Sequence, residues 1–210
     1  MMNFFPKVCI GCGTISHGPF CEECYQKWIT NQFHIQRYLS QKGDEIIACC
    51  RYKPIGGKII RGFKYARRFD LLPLIADAFS HAIAEVWSTP FTCIIPVPQS
   101  IRKMFSRGFH PVEMIGTHVS KMTSIPMDSR ILRRKIACFD RDQASLRKIH
   151  RMKNLTEAFY SIKTNSWAQQ ANILLFDDVA TTGTTLNRCK EAIQKNFPDW
   201  HIHLLVFAHG

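Results

Sequence analysis

Between residues 173 and 185 the chain reads Ile-Leu-Leu-Phe-Asp-Asp-Val-Ala-Thr-Thr-Gly-Thr-Thr. An unbroken apolar run delivers two adjacent acids and then a loop of small hydroxyl residues that opens a helix. Main-chain amides of Thr181, Thr182, Gly183, Thr184 and Thr185 at a helix N-terminus suit a dianionic phosphate, because free N–H groups and the helix dipole both favour negative charge there. Gly183 allows close main-chain approach, and the threonine hydroxyls add donors. Asp177 and Asp178 lie just upstream, where they are expected to accept from two ribose hydroxyls. Together these groups describe a cradle for ribose 5-phosphate. Other phosphate motifs fit less well: no Lys follows Gly183 as a Walker A loop requires, and a dinucleotide fingerprint needs three spaced glycines.

A second constellation lies near the N-terminus. Cys9-x2-Cys12 and Cys21-x2-Cys24 form two thiolate pairs separated by eight residues. Four thiolates with no spare position predict a closed structural zinc site whose folding depends on the metal. Redox use of one pair is less favoured, since no βαβ pattern surrounds either. The other cysteines (Cys49, Cys50, Cys93, Cys138 and Cys189) read as small buried hydrophobes.

The elements that must position these groups follow from hydrophobic patterning. A helical connector over residues 25–45 ends at Lys42-Gly43-Asp44, and a strand is expected from Glu45 to Tyr52. Helical periodicity spans Lys58 to Lys64 and Asp70 to Trp87, followed by a buried strand over 91–97 and a helix from Pro111 to Met122. A basic strand, Arg130 to Ile136, precedes a polar helix from Gln143 to Asn154. Asn172 to Phe176 reads as a parallel strand covered on both faces, then a helix from Thr184 to Lys195 and a last strand from His201 to Ala208. Alternating strands and helices predict an α/β fold, a mostly parallel central sheet flanked by helices, with ligands at the carboxyl ends of the strands. The expected division is 1–42 for the zinc module and connector and 43–210 for the main domain.

Composition narrows the class. Hydrophobic residues make up 46% of the chain and charged ones 21%, which suits a packed globular core. No apolar run reaches the roughly 18 residues of a membrane span, and no signal peptide is read at Met1–Lys7, so no membrane insertion and a cytoplasmic location are expected. The net charge of +12 is uneven: from Pro98 to Lys153 there are 13 Lys or Arg against four acids. Such a tract suits phosphates or nucleic acid. Within it Gln143, Arg147, Lys148, Arg151 and Asn154 recur at helical spacing, a face suited to phosphates and base edges.

The segment 173–185 resembles the binding motif of type I phosphoribosyltransferases, and the whole chain resembles the ComF family of competence-associated proteins, ComFC type. The resemblance is carried by the four-cysteine module, Tyr52 to Lys64, Ile94-Ile95-Pro96-Val97-Pro98, Arg107-Gly108-Phe109, the series from Gln143 to Ala158-Phe159, and the phosphate loop. His110 stands where the family usually has Asn, and Thr181 where many transferases carry an acid.

The resemblance implies a type I phosphoribosyltransferase-like fold, phosphoribosyl pyrophosphate as ligand, and a role in natural transformation and DNA uptake, handling incoming single-stranded DNA. It implies that the loop from Pro98 to Lys103 is a pyrophosphate loop, with Arg102, Lys103 and Arg107 facing the diphosphate and Mg²⁺ beside Asp177 and Asp178. Other competence proteins, a DNA translocation helicase or recombination factors, are implied partners. A working phosphoribosyltransferase of unknown acceptor in nucleotide metabolism is the alternative, and a zinc-dependent scaffold with an empty pocket is a third reading; the residues leave all three open and assign no catalytic group.

Overall fold

A computed structural model of the chain describes residues 7–135, 158–164 and 167–210. The polar helix expected at 143–154, with Gln143, Arg147, Lys148, Arg151 and Asn154, lies outside the described residues.

The core is a five-stranded sheet. In chain order its strands are β3 (Gln36–Leu39), β4 (Glu45–Arg51), β5 (Cys93–Pro96), β8 (Asn172–Ala180) and β9 (His201–His209), arranged β3-β4-β9-β8-β5. The pairs β4–β9, β9–β8 and β8–β5 are parallel, and only the edge strand β3 runs antiparallel. This is the expected α/β architecture. Central strands with Val, Leu and Ile on both faces require cover on both sides. One side is covered by α2 (Gly57–Tyr65), α3 (Leu72–Val86) and α5 (Pro111–Thr123), whose Ile59, Phe63, Ile75, Phe79 and Ile115 pack with Leu174, Phe176, Leu205 and Phe207. The other side is covered by α6 (Thr184–Gln194) and a hairpin of β6 (Leu132–Arg134) with β7 (Phe159–Ser161), over Ile173, Leu175, Leu204 and Val206.

Two expectations need correction. The helical connector is helical only through α1 (Glu22–Lys27) and the wide turn Trp28–Gln32; Gln36–Leu39 is instead the edge strand of the main sheet. Its Gln-Arg-Tyr-Leu pattern has little apolar content because an edge strand buries only part of one face. Second, Pro98 to Lys103 is not all loop. Ser100 caps a short helix, α4 (Ile101–Arg107), by accepting from the Lys103 amide at 3.4 Å, so Arg102 and Lys103 stand on its first turn.

The small N-terminal unit, with β1 (Lys7–Val8) paired to β2 (Ile15–Ser16), docks on α2. Lys58 Nζ donates to the Gly11 carbonyl at 2.8 Å, and Arg68 Nη1 to the Val8 carbonyl at 2.7 Å. Trp28 bridges unit and core, stacked between Phe20 and Phe207 with ring centroids 6.1 Å from each.

Candidate functional site

The phosphate loop occupies the turn between β8 and α6. Gly183 has φ +71, the left-handed region that L side chains avoid, and a Cβ there would come within 2.5 Å of Ile46 Cδ1 and 2.8 Å of Ser40 Cβ. Only glycine lets this turn sit so close to β4. Thr182 and Thr184 hydroxyls meet at 2.8 Å, Asn187 N closes the first helical bond to Gly183 O at 3.0 Å, and Thr185 is exposed.

A part of the site that sequence reasoning missed is the β3–β4 turn, which walls the loop. Gln41 N donates to Thr182 O at 3.3 Å, Thr184 Oγ1 donates to Gln41 Oε1 at 3.4 Å, and buried Asn187 Nδ2 donates to Ser40 Oγ at 2.8 Å. The only signal was Ser40 and Gly43 ahead of a strongly apolar strand, which marks a turn but not what it leans on.

The two acids do not share a face. Consecutive residues of an extended strand point to opposite sides of the sheet. Asp178 follows Phe176 toward α2 and pairs with Lys64 Nζ at 2.5 Å, both side chains nearly buried. Asp177 follows Leu175 toward the α6 side, where its charge bears on Tyr38 and Cys189. Its Oδ1 accepts from the Asp178 amide at 2.8 Å. Burial, then the neighbouring Asp178 charge, push the Asp177 carboxyl up to about 8, with Lys64 and Lys103 pulling the other way. Burial also raises the Tyr38 phenol, helped by Asp177; the Tyr38 hydroxyl is buried without a hydrogen-bond partner. A carboxyl so disfavoured as an anion, beside an orphaned phenol, has the chemistry to take a hard cation or a sugar hydroxyl at its free oxygen.

The proposed cations are unequally placed. Lys103, on α4, reaches Asp177 electrostatically. Arg107 is held by neutral groups: its Nη1 donates to Gln99 Oε1 at 3.1 Å and its Nη2 to the Tyr65 hydroxyl at 2.9 Å, with the guanidinium 4.7 Å over the Tyr65 ring. Arg102 is exposed on the first turn of α4. Lys64, from α2, was not among the predicted site residues, although it closes the Tyr52–Lys64 motif.

The four cysteines converge. The Sγ atoms of Cys9, Cys12, Cys21 and Cys24 all lie within 4.8 Å of one another, and Cys12 and Cys21 are 3.7 Å apart. A tetrahedral zinc with bonds of about 2.3 Å needs sulfur separations of about 3.8 Å, so the cage matches. Gly11 has no room for a side chain, since a Cβ would meet Cys24 Sγ at 2.7 Å. At Cys9, burial opposes ionisation but is outweighed by amide donors at Cys12, Cys21 and Gly11, which bring the thiol down to about 6. Burial and the other thiols push Cys24 up to about 12, so the set ionises fully only around a cation.

No family model matches the chain. It is 25% identical to competence protein F of Haemophilus influenzae, covering 93% of this chain and 94% of that one. It is 24% identical to competence protein ComFC of Bacillus subtilis over 65% of this chain and 52% of that protein. Among solved structures it is similar to an adenine phosphoribosyltransferase of Trypanosoma brucei, with a TM-score of 0.46 and 9% identity over 78% of this chain and 83% of that one. A second adenine phosphoribosyltransferase gives a TM-score of 0.43 and 12% identity over 82% and 84%. The resemblance to the ComF family drawn from motifs is thus matched by one competence protein along almost the whole chain and by a second along 65% of it.

Proposed function

We propose that this chain is a cytoplasmic competence protein acting in natural transformation, handling incoming single-stranded DNA on an α/β scaffold whose phosphate loop binds phosphoribosyl pyrophosphate with Mg²⁺. Similarity to two competence proteins supports the role. The observation that carries the ligand is the acid pair of β8 beside the N-terminus of α6, with Lys64 and Lys103 within electrostatic reach.

In this reading the amides and hydroxyls of Thr181–Thr185 hold the 5′-phosphate. Asp177 and Asp178 take the ribose hydroxyls and the metal, which supplies charge neutralisation at the diphosphate. Arg102, Lys103 and Arg107 face the diphosphate from α4. Lys64, paired with Asp178 in the ligand-free chain, would be free to meet a diphosphate oxygen if Asp178 held the metal. Cys9, Cys12, Cys21 and Cys24 hold a structural zinc. Gln143, Arg147, Lys148, Arg151 and Asn154 remain the proposed contacts to DNA, and a translocation helicase or recombination factor the proposed protein partners.

A second reading, a working phosphoribosyltransferase, is favoured by the same acid pair. There the acceptor's bond to C1 of the ribose forms as the C1–oxygen bond breaks, and diphosphate leaves with the electron pair toward the α4 cations. Calorimetric titration with phosphoribosyl pyrophosphate and Mg²⁺, repeated with single-stranded DNA present, tests the proposal. Saturable, Mg²⁺-dependent binding that disappears in the Asp177→Asn, Asp178→Asn double variant is expected. Absence of any binding heat over a wide range of Mg²⁺ would remove the phosphoribosyl ligand from the account.

A further inference from the structure

Two cavities flank α2 and share one side chain. The first, about 420 Å³, opens on the four-cysteine module, with Gly11, Lys58, Arg61 and Arg68 in its lining. The second, about 450 Å³, opens beside the phosphate loop between Tyr52, Arg61, Lys64, Tyr65 and Thr181. No Asp or Glu side chain lines either one among the described residues.

The charge along this path is set by what each cation touches. Arg68 forks onto Asp70, and Lys64 pairs with Asp178. Lys58 and Arg61 are exposed and have no acidic partner among the described residues. Lys58 holds the Gly11 carbonyl, while Arg61 donates to the Tyr52 hydroxyl at 2.8 Å and lies 5.6 Å from the centre of that ring. These contacts fix both side chains through neutral partners, so among the described residues neither charge is paired with an Asp or Glu. Three residues apart on a helix, they stand next to each other on one face. At the loop end Tyr65 is 66% exposed even though Arg107 lies over its ring. A large aromatic surface therefore stays open to solvent on the same helix as two cations that no described Asp or Glu pairs.

We infer that this α2 groove is the track for a single nucleic-acid strand. Phosphates follow Lys58 and Arg61 past the zinc module, and an unpaired base stacks on Tyr65 next to Thr181. The combination of a charged groove with an exposed ring suits a single strand, because a duplex hides its base faces. The inference rests on the single-strand handling proposed above and gives it a location on α2, apart from residues 143–154. It also brings the strand against the phosphate loop, so DNA and phosphoribosyl pyrophosphate occupy adjoining sites.

The test is fluorescence anisotropy of a labelled oligothymidylate of about 16 nucleotides with the zinc-loaded full chain at several salt concentrations. The variants are Lys58→Gln with Arg61→Gln, Tyr65→Leu alone, and Arg147→Gln, Lys148→Gln, Arg151→Gln together. The first is expected to weaken binding about tenfold or more and to lower the salt slope by about 1.4. Tyr65→Leu, which removes the ring and the hydroxyl that Arg107 donates to but no charge, is expected to weaken binding about tenfold with the slope unchanged. If both groove variants bind like wild type while the triple variant loses affinity, the groove is wrong and DNA handling stands. If the wild-type chain binds no oligonucleotide even at low salt, groove and DNA handling fall together.

Discussion

Asp177 is where function and stability part. Its carboxyl is pushed from an ordinary 3.8 up to about 8, first by desolvation at its partly buried position and then by the adjacent Asp178. A group whose folded value is raised supports folding fully below its unfolded value, and that support is lost as pH climbs through the folded value. Between pH 4 and 8 the ligand-free chain is therefore progressively penalised for ionising Asp177. Asp177→Asn keeps Oδ1 as the acceptor for the Asp178 amide and removes the charge. The expected outcome is a melting temperature about 2 to 4 °C above wild type at pH 8, with the gain vanishing toward pH 4. Phosphoribosyl pyrophosphate binding is lost in the same variant. Thermal scans at the two pH values check this; an unchanged or lower melting temperature at pH 8 contradicts it. That the acids face opposite sides of β8 was legible in principle from the period of two along a strand, but reading the pair as one unit beside the loop hid it.

At the scale of elements, most strands and helices were legible because each buries an apolar stripe. Strand β8 and helix α3 announce themselves by continuous or periodic apolar residues; α3 lies within the expected span, while β8 starts where expected but runs past Phe176 through both acids to Ala180. The elements that escaped have no such stripe. Helix α4 buries no side chain and is held by Ser100 at its start and left-handed Gly108 at its end. Strand β3 is an alternating edge strand of four residues. Both border the site, so the residues closing it over were the least visible. The packing of β4 and the β3–β4 turn against the phosphate loop makes Gly183→Ala a sharp probe. The added methyl must adopt a left-handed backbone and meet Ile46 and Ser40 at under 3 Å. A loss of about 2 to 4 kcal/mol in denaturant unfolding is expected. A loss of less than about 0.5 kcal/mol, the usual range for an unconstrained surface change, would mean the turn does not press on β4 as described.

At the scale of the molecule, among the described residues, the four-cysteine unit, α2 and the β8–α6 loop border two cavities that share Arg61. The unit is tied to α2 through Lys58 and to the turn after α2 through Arg68, α2 reaches Asp178 through Lys64, and α4 returns to α2 through Arg107 and Tyr65. Sequence motifs identified the two ends, the cysteines and the Thr/Gly loop, because each is local in the chain. The link between them was not legible, since it depends on which face α2 turns outward once Ile59, Ile60 and Phe63 are buried. The most direct test is a crystal structure of the chain with phosphoribosyl pyrophosphate and Mg²⁺. The account predicts the 5′-phosphate within hydrogen-bond distance of the Thr182–Thr185 amides, the metal and ribose on Asp177 and Asp178, and Lys64 released from Asp178. A bound ligand elsewhere, with the loop vacant and the Lys64–Asp178 pair intact, would contradict it.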